Sequence, residues 1–252
     1  MDWVKEFYRK QNQLSKECYS SEVEDYHKDK VSIISKYHDS NKRIRILDLG
    51  SGGGQHAAAM AMLDNTEVVA VELLEELCSH TKDLKQKHHL NNLTIICEDF
   101  YRLQFKQEFD IVTYYDGFGI GDDEDQRKLL KLISSWLKPE SGRAFIEVYT
   151  SWFALSSSLR PVDIFRDVRR QYSYDFANNR LEDSWWSETK DNKRVTQTLR
   201  SYTPPDFRLL LEGTGLKEEF SIPCMAQADE WCYPKGDCWC KAITFMSSLS
   251  HL

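Results

Sequence analysis

Long apolar runs are missing from this sequence. Nowhere do the roughly 18–20 consecutive apolar residues of a membrane helix occur, so no membrane partner is expected. The opening Met1–Glu6 also lacks the charged-then-apolar form of a signal peptide. Positive charge is scarce: 33 Lys and Arg against 40 Asp and Glu leave a formal net charge of −7. Proteins that grip DNA or RNA neutralise phosphates with Lys and Arg, so no nucleic-acid partner is expected either. Internal repeats and low-complexity segments are absent. The seven cysteines are odd in number, and with no export signal they read as reduced thiols in a cytoplasm. Cys224, Cys232, Cys238 and Cys240 lack the paired two-residue spacing of a zinc knuckle. They are read as free thiols, and no metal is expected.

What is present fits one α/β domain, or a domain with a lid, with enough apolar residues (41% of 252) for a packed core. Residues 1–40 carry helical periodicity at Trp3, Phe7, Gln11 and Leu14, then at Val23, Tyr26, Val31 and Ile34. This predicts two amphipathic helices before the core, either a plain cap or a lid over a ligand. From Ile44 strands and helices alternate. Strands are expected at 45–49, 67–71, 93–97, 109–115 and 143–149, with helices at 55–63, 74–88 and 125–137. That order implies a parallel, doubly wound sheet. After Tyr149 the alternation stops. Residues 150–170 read as helical with a basic cluster at Arg166, Arg169 and Arg170, and 171–186 and 193–202 read as strands. A helix at 204–213 and final strands at 216–222 and 242–246 complete the pattern.

The segment Asp48-Leu-Gly50-Ser51-Gly52-Gly53-Gly54 lies between a predicted strand and a helix. Glycines there admit positive φ and let the backbone approach a ligand, while the helix start offers unpaired N–H groups. A dinucleotide fingerprint needs glycine at its sixth position. Here Gln55 stands at that position and Gly54 at the fifth, a spacing better suited to the tail of S-adenosylmethionine than to a pyrophosphate. Glu72 ends the second strand, where a carboxylate can accept from both ribose hydroxyls, and Leu73 can pack on a purine. Asp99 ends the third strand and can accept from an adenine amino group, with Phe100 beside it. In this architecture ligands bind at the carboxyl ends of successive strands.

Ile46–Gly54, Val69–Glu72, Cys97–Phe100, Phe109–Val112 and Trp136–Gly142 together resemble the motifs of class I S-adenosylmethionine-dependent methyltransferases. The resemblance covers residues 44–149, and Ser201–Phe207 with Leu211–Leu216 resemble the family's last helix and hairpin. It implies a seven-stranded, mostly parallel sheet with an antiparallel final hairpin. It also implies S-adenosylmethionine as cofactor, held by Asp48, Gly50, Ser51, Gly52, Glu72, Leu73, Asp99, Phe100 and Asp116.

The acceptor is less legible. The fourth strand ends Tyr114-Tyr115-Asp116-Gly117 and lacks the Asn/Asp-Pro-Pro-Tyr sequence common in enzymes that methylate nucleobase amines. Asp116 is either an Asp-Gly turn or a contact to the methionine amino group or the acceptor. His56 reads as a helix-start residue rather than a base, and Gly121–Asp125 as an acidic helix start. The expected acceptor is a small molecule, at N or O, with no catalytic residue assigned. Trp152, Phe153, Tyr172, Tyr174, Phe176, Trp185 and Trp186 give residues 150–202 an aromatic density that fits either an acceptor pocket or a sheet packed on the core. Arg180, Glu182 and Asp183 are candidate anchors there. The expected organisation is one domain: a helical lid at 1–40, a cofactor core at 41–149, an acceptor-side insertion at 150–202 and a C-terminal helix and hairpin at 203–252.

Overall fold

A computed structural model describes residues 2–16, 21–37, 41–153, 161–189, 193–224, 239 and 242–252. Cys232, Cys238 and Cys240 lie outside the described residues.

The strands of the core are apolar on both faces, and both faces are covered. Helices α1 (Asp2–Ser15) and α2 (Asp25–Ser35) precede β1 (Ile44–Leu49), α3 (Gln55–Ala61), β2 (Thr66–Glu72), α4 (Glu75–Lys87) and β3 (Leu93–Cys97). Then follow β4 (Ile111–Tyr114), α5 (Asp123–Trp136) and β5 (Arg143–Tyr149). The final segment runs α6 (Pro204–Leu210), β10 (Leu216–Cys224) and β11 (Thr244–His251). These strands form a seven-stranded sheet in the order β10-β11-β5-β4-β1-β2-β3. It is parallel from β3 to β5, and β11 runs antiparallel to both β5 and β10. Alternate side chains divide the core in two. Leu47, Leu49, Val112 and Tyr114 pack with α5 and α6, and Ile46, Val68, Ala70 and Ile111 pack with α2 and α3. Strand order reverses between β1 and β4, which opens a crevice at their carboxyl ends.

Residues 161–200 form a second sheet of four antiparallel strands: β6 (Val162–Phe165), β7 (Val168–Asp175), β8 (Arg180–Ser187) and β9 (Val195–Arg200). This corrects the helix expected through residue 170. The basic cluster belongs to the β6–β7 turn and to β7, and 171–186 is a hairpin that turns at 176–179. One face of this sheet is buried: at one end it holds Val168, Trp185 and Val195 against Phe7 of α1, and at the other it packs Leu181 and Leu199 on Tyr149. It meets the core where Arg200 N donates to Gly119 O at 2.8 Å. Only glycine fits there: Gly119 has φ +109°, and a Cβ would lie 2.4 Å from the Arg200 carbonyl oxygen.

Candidate active site

The loop Gly50–Gly54 leaves the carboxyl end of β1, an inner strand of the sheet, and leads into α3. Gly54 caps α3 at φ +83°, and a Cβ there would stand 2.4 Å from Thr81 of α4, so the fifth-position glycine answers to helix packing as well as to the turn. Glu72 ties this loop to the next. Its Oε2 accepts from Gly52 N and its Oε1 from Leu74 N, each at 2.9 Å. Each carboxylate oxygen keeps a further lone pair. Burial raises the Glu72 carboxyl, against those two backbone bonds. Asp99 caps a single 3-10 turn at Phe100–Arg102 by accepting from Tyr101 N at 2.9 Å. Phe100 packs edge-on to Tyr114 at 5.7 Å.

These loops line one cavity of about 600 Å³. Asp48, Gly50, Ser51, Gly52, Glu72, Leu73, Asp99, Phe100 and Asp116, read from sequence as a set, all lie on its wall. Several buried polar atoms there have no protein partner among the described residues: Asp48 Oδ2, Ser51 Oγ, His56 Nε2 and the Tyr115 hydroxyl. Asp48 accepts from Thr113 on its other oxygen at 2.7 Å, and burial pushes its carboxyl up to about 7. Buried polar atoms left unsatisfied in a cavity wall are ready partners for a polar ligand. A wall of carboxylates, backbone N–H groups and an aromatic side chain fits the ribose, amino-acid and purine parts of S-adenosylmethionine.

The other wall comes from the two N-terminal helices, read from sequence as a cap or a lid, though no site residue was assigned there. From α1, Tyr8, Gln11 and Asn12 reach the cavity, and from α2, Tyr26 and His27 do. His27 Nδ1 accepts from Glu24 N at 3.0 Å, and burial lowers the ring's affinity for a second proton. The neutral ring therefore carries its hydrogen on Nε2. His56 is more than a helix start: its ring lies 4.9 Å from both His27 and Tyr115.

Asp116 is the most constrained residue of the site. It adopts φ +55°, a left-handed conformation uncommon outside glycine. Its N–H donates to Glu147 Oε2 at 3.1 Å, and its carboxylate accepts from the Tyr149 hydroxyl. Glu147 is clamped by Lys30 of α2 at 2.5 Å and by Thr244 at 2.8 Å. Burial and then the Glu147 charge raise the Asp116 carboxyl, opposed by the Tyr149 bond and by the Lys30 and Arg170 charges.

Among the described residues of 150–202, Arg170 alone lines the cavity. The aromatic residues proposed as an acceptor wall go elsewhere: Trp185 is buried under α1, Tyr172 and Tyr174 pack on the core side of the second sheet, and Phe176 is 73% exposed. Of the three candidate anchors, Arg180 bonds Thr198 and the Gly121 carbonyl, and Glu182 bonds Ser173. Asp183 holds Arg170 with two bonds, at 2.8 and 2.9 Å, and accepts from Trp185 and Gln197. Gln197 in turn accepts from Tyr8 at 2.9 Å. No local sequence signal links these residues, since they meet only when the second sheet docks. Asp122 caps α5 through Glu124 N and Asp125 N, as expected of the acidic helix start.

Residues 46–140 match the family model described as a methyltransferase domain. Those residues form a methyltransferase domain. A curated relative, malonyl-[acyl-carrier protein] O-methyltransferase of Bacillus anthracis, is 26% identical over 83 residues. That stretch is 32% of this chain and 30% of that protein. The methyltransferase fold continues well past the matched segment. CcbJ methyltransferase from Streptomyces caelestis superposes with a TM-score of 0.72 at 16% identity, over 89% of each chain. An S-adenosylmethionine-dependent methyltransferase from Clostridium acetobutylicum ATCC 824 gives 0.70 at 17% identity, over 98% of each chain.

Proposed function

We propose that this chain transfers a methyl group from S-adenosylmethionine to nitrogen or oxygen of a small-molecule acceptor. The observation that carries this reading is the meeting, in one cavity, of Glu72, Asp99 and the Gly50–Gly52 loop at successive strand ends of a methyltransferase domain. The names of its relatives agree, since the Bacillus anthracis protein is an O-methyltransferase and the two similar structures are methyltransferases.

In this reading Glu72 accepts from the ribose hydroxyls, Asp99 from the adenine amino group, and Leu73 and Phe100 flank the purine. The Gly50–Gly52 backbone, with Ser51 and Asp48, holds the amino-acid end. When bound, the cofactor supplies a methyl already activated on a sulfonium, so the displacement needs mainly proximity and alignment. The protein's part is to orient the two molecules and exclude water. Helices α1 and α2 serve as the lid: Tyr8, Gln11 and His27 roof the cavity, and a roof this close to the strand tips favours a small acceptor over a protein surface.

Incubating the protein with S-adenosylmethionine and fractionated metabolite extracts, and measuring S-adenosylhomocysteine release, tests the reading. Release with small-molecule fractions is expected. Release with protein fractions alone would replace the small acceptor by a polypeptide, and cofactor binding with no turnover in any fraction would make the chain a binding protein.

A further inference from the structure

The charges around the acceptor end of the cavity do not balance, and the imbalance points to a substrate class. Two of the three acidic groups there are matched. Glu147 is paired with Lys30 at 2.5 Å, and Asp183, whose side chain is 2% exposed, takes Arg170 in a two-bond clamp. Asp116 is left with hydrogen bonds but no ion pair among the described residues. The groups that face it are Lys30 from α2, Glu147 and Tyr149 from β5, Arg170 from β7 and Tyr8 from α1. With Asp183, which holds Arg170, three carboxylates stand against two cations, and the negative charge left over falls on Asp116, which lines the cavity. The Tyr115 hydroxyl, on the same cavity, has no partner among the described residues, although Tyr115 is only 7% exposed.

We infer, on the methyltransferase reading above, that the acceptor is an amine that arrives as an ammonium ion and is held by the Asp116 carboxylate, which takes its proton. In that step one N–H bond breaks and one carboxyl O–H bond forms, so R–NH3⁺ and carboxylate become R–NH2 and carboxylic acid. The freed lone pair is what the displacement requires. A carboxylate on the cavity wall, with the Glu147 charge raising its proton affinity, is suited to this exchange. A phenolate or carboxylate acceptor would instead meet like charge, with the two nearby cations already neutralised. The left-handed backbone at Asp116 directs the side chain to this position, and Asn is the other residue that tolerates it, so Asp116→Asn removes charge without forcing the loop.

The test is calorimetric titration of the S-adenosylhomocysteine-loaded protein with benzylammonium, benzyl alcohol and benzoate at neutral pH. Benzylammonium should bind, and tighter than the other two. Asp116→Asn should weaken it by about tenfold or more while leaving S-adenosylhomocysteine affinity within about twofold. In the unaltered protein, benzylammonium affinity should fall on acidification as Asp116 takes up a proton. Benzoate binding tighter than benzylammonium, no benzylammonium binding, or a flat pH profile would overturn the inference. So would loss of S-adenosylhomocysteine binding in a folded Asp116→Asn protein, because the carboxylate would then serve the cofactor's own amino group. If the unaltered protein fails to bind S-adenosylhomocysteine at all, it is the methyltransferase reading that fails.

Discussion

The two halves of the cavity wall are built by different means. The cofactor side consists of loops at the tips of β1, β2 and β3, in which Glu72 bonds backbone groups at Gly52 and Leu74. The opposite side is lined by side chains of α1 and α2 and by Arg170 of the second sheet, and is held from behind by pairs between distant elements: Lys30 to Glu147, Tyr8 to Gln197, Arg170 to Asp183. A wall made of backbone turns keeps its shape with few side chains and leaves its polar atoms for the ligand. A wall made of side-chain pairs depends on every partner, because a buried charge stranded without its mate is costly. Substitutions on the two sides should therefore fail differently.

The largest effect is expected at the centre of the second wall. Asp183→Ala leaves Arg170 uncompensated and unties Trp185 and Gln197, and should cost about 3–5 kcal/mol in denaturant unfolding. If the two sides are separable, the surviving folded fraction binds S-adenosylmethionine with near-normal affinity; loss of both together would break the distinction.

Next in size is the pH response of Asp48. Its folded carboxyl holds a proton up to about pH 7, well above the range of an unfolded aspartate, so its stabilisation is complete in acid and lost as pH rises through 7. Stability of the ligand-free protein should drop between pH 5 and 8 by about 1–3 kcal/mol more than that of Asp48→Asn. Parallel pH curves would show that the buried carboxyl is already ionised in acid.

Glu72→Ala should weaken S-adenosylmethionine binding by about 1–3 kcal/mol. Unchanged affinity would remove Glu72 from the ribose. The smallest effect belongs to Tyr8→Phe, which deletes one hydrogen bond to Gln197 and should lower stability by about 1 kcal/mol. It should leave cofactor affinity intact and slow acceptor turnover.

This contrast also explains what the sequence could reveal. The strand–helix alternation, the glycine turn and the carboxylates at strand ends are local patterns, and the structure brings Asp48, Glu72, Asp99 and Asp116 to one cavity as a set. The alternation alone implies a parallel, doubly wound sheet with a terminal hairpin; the count of seven strands with an antiparallel last pair comes from the family resemblance, and the sheet has both. The second sheet was not legible in this way. Its β6 and the start of β7 lie in a stretch whose charged and apolar residues mimic helical spacing, and they become strands because β6 pairs with β7 and β7 with β8, burying Val168 and Trp185 against α1. Trp185 and Tyr172 attracted attention as aromatics, yet they are core. Lys30, Glu147 and Arg170 look like ordinary surface charges until three elements meet around Asp116.

The central claim, that the cavity at the strand tips holds S-adenosylmethionine, is tested most directly by calorimetric titration with S-adenosylmethionine and with NAD. The account predicts binding of S-adenosylmethionine in the micromolar range, weakened by Glu72→Ala, and no comparable binding of NAD. Micromolar binding of NAD with none of S-adenosylmethionine would contradict it.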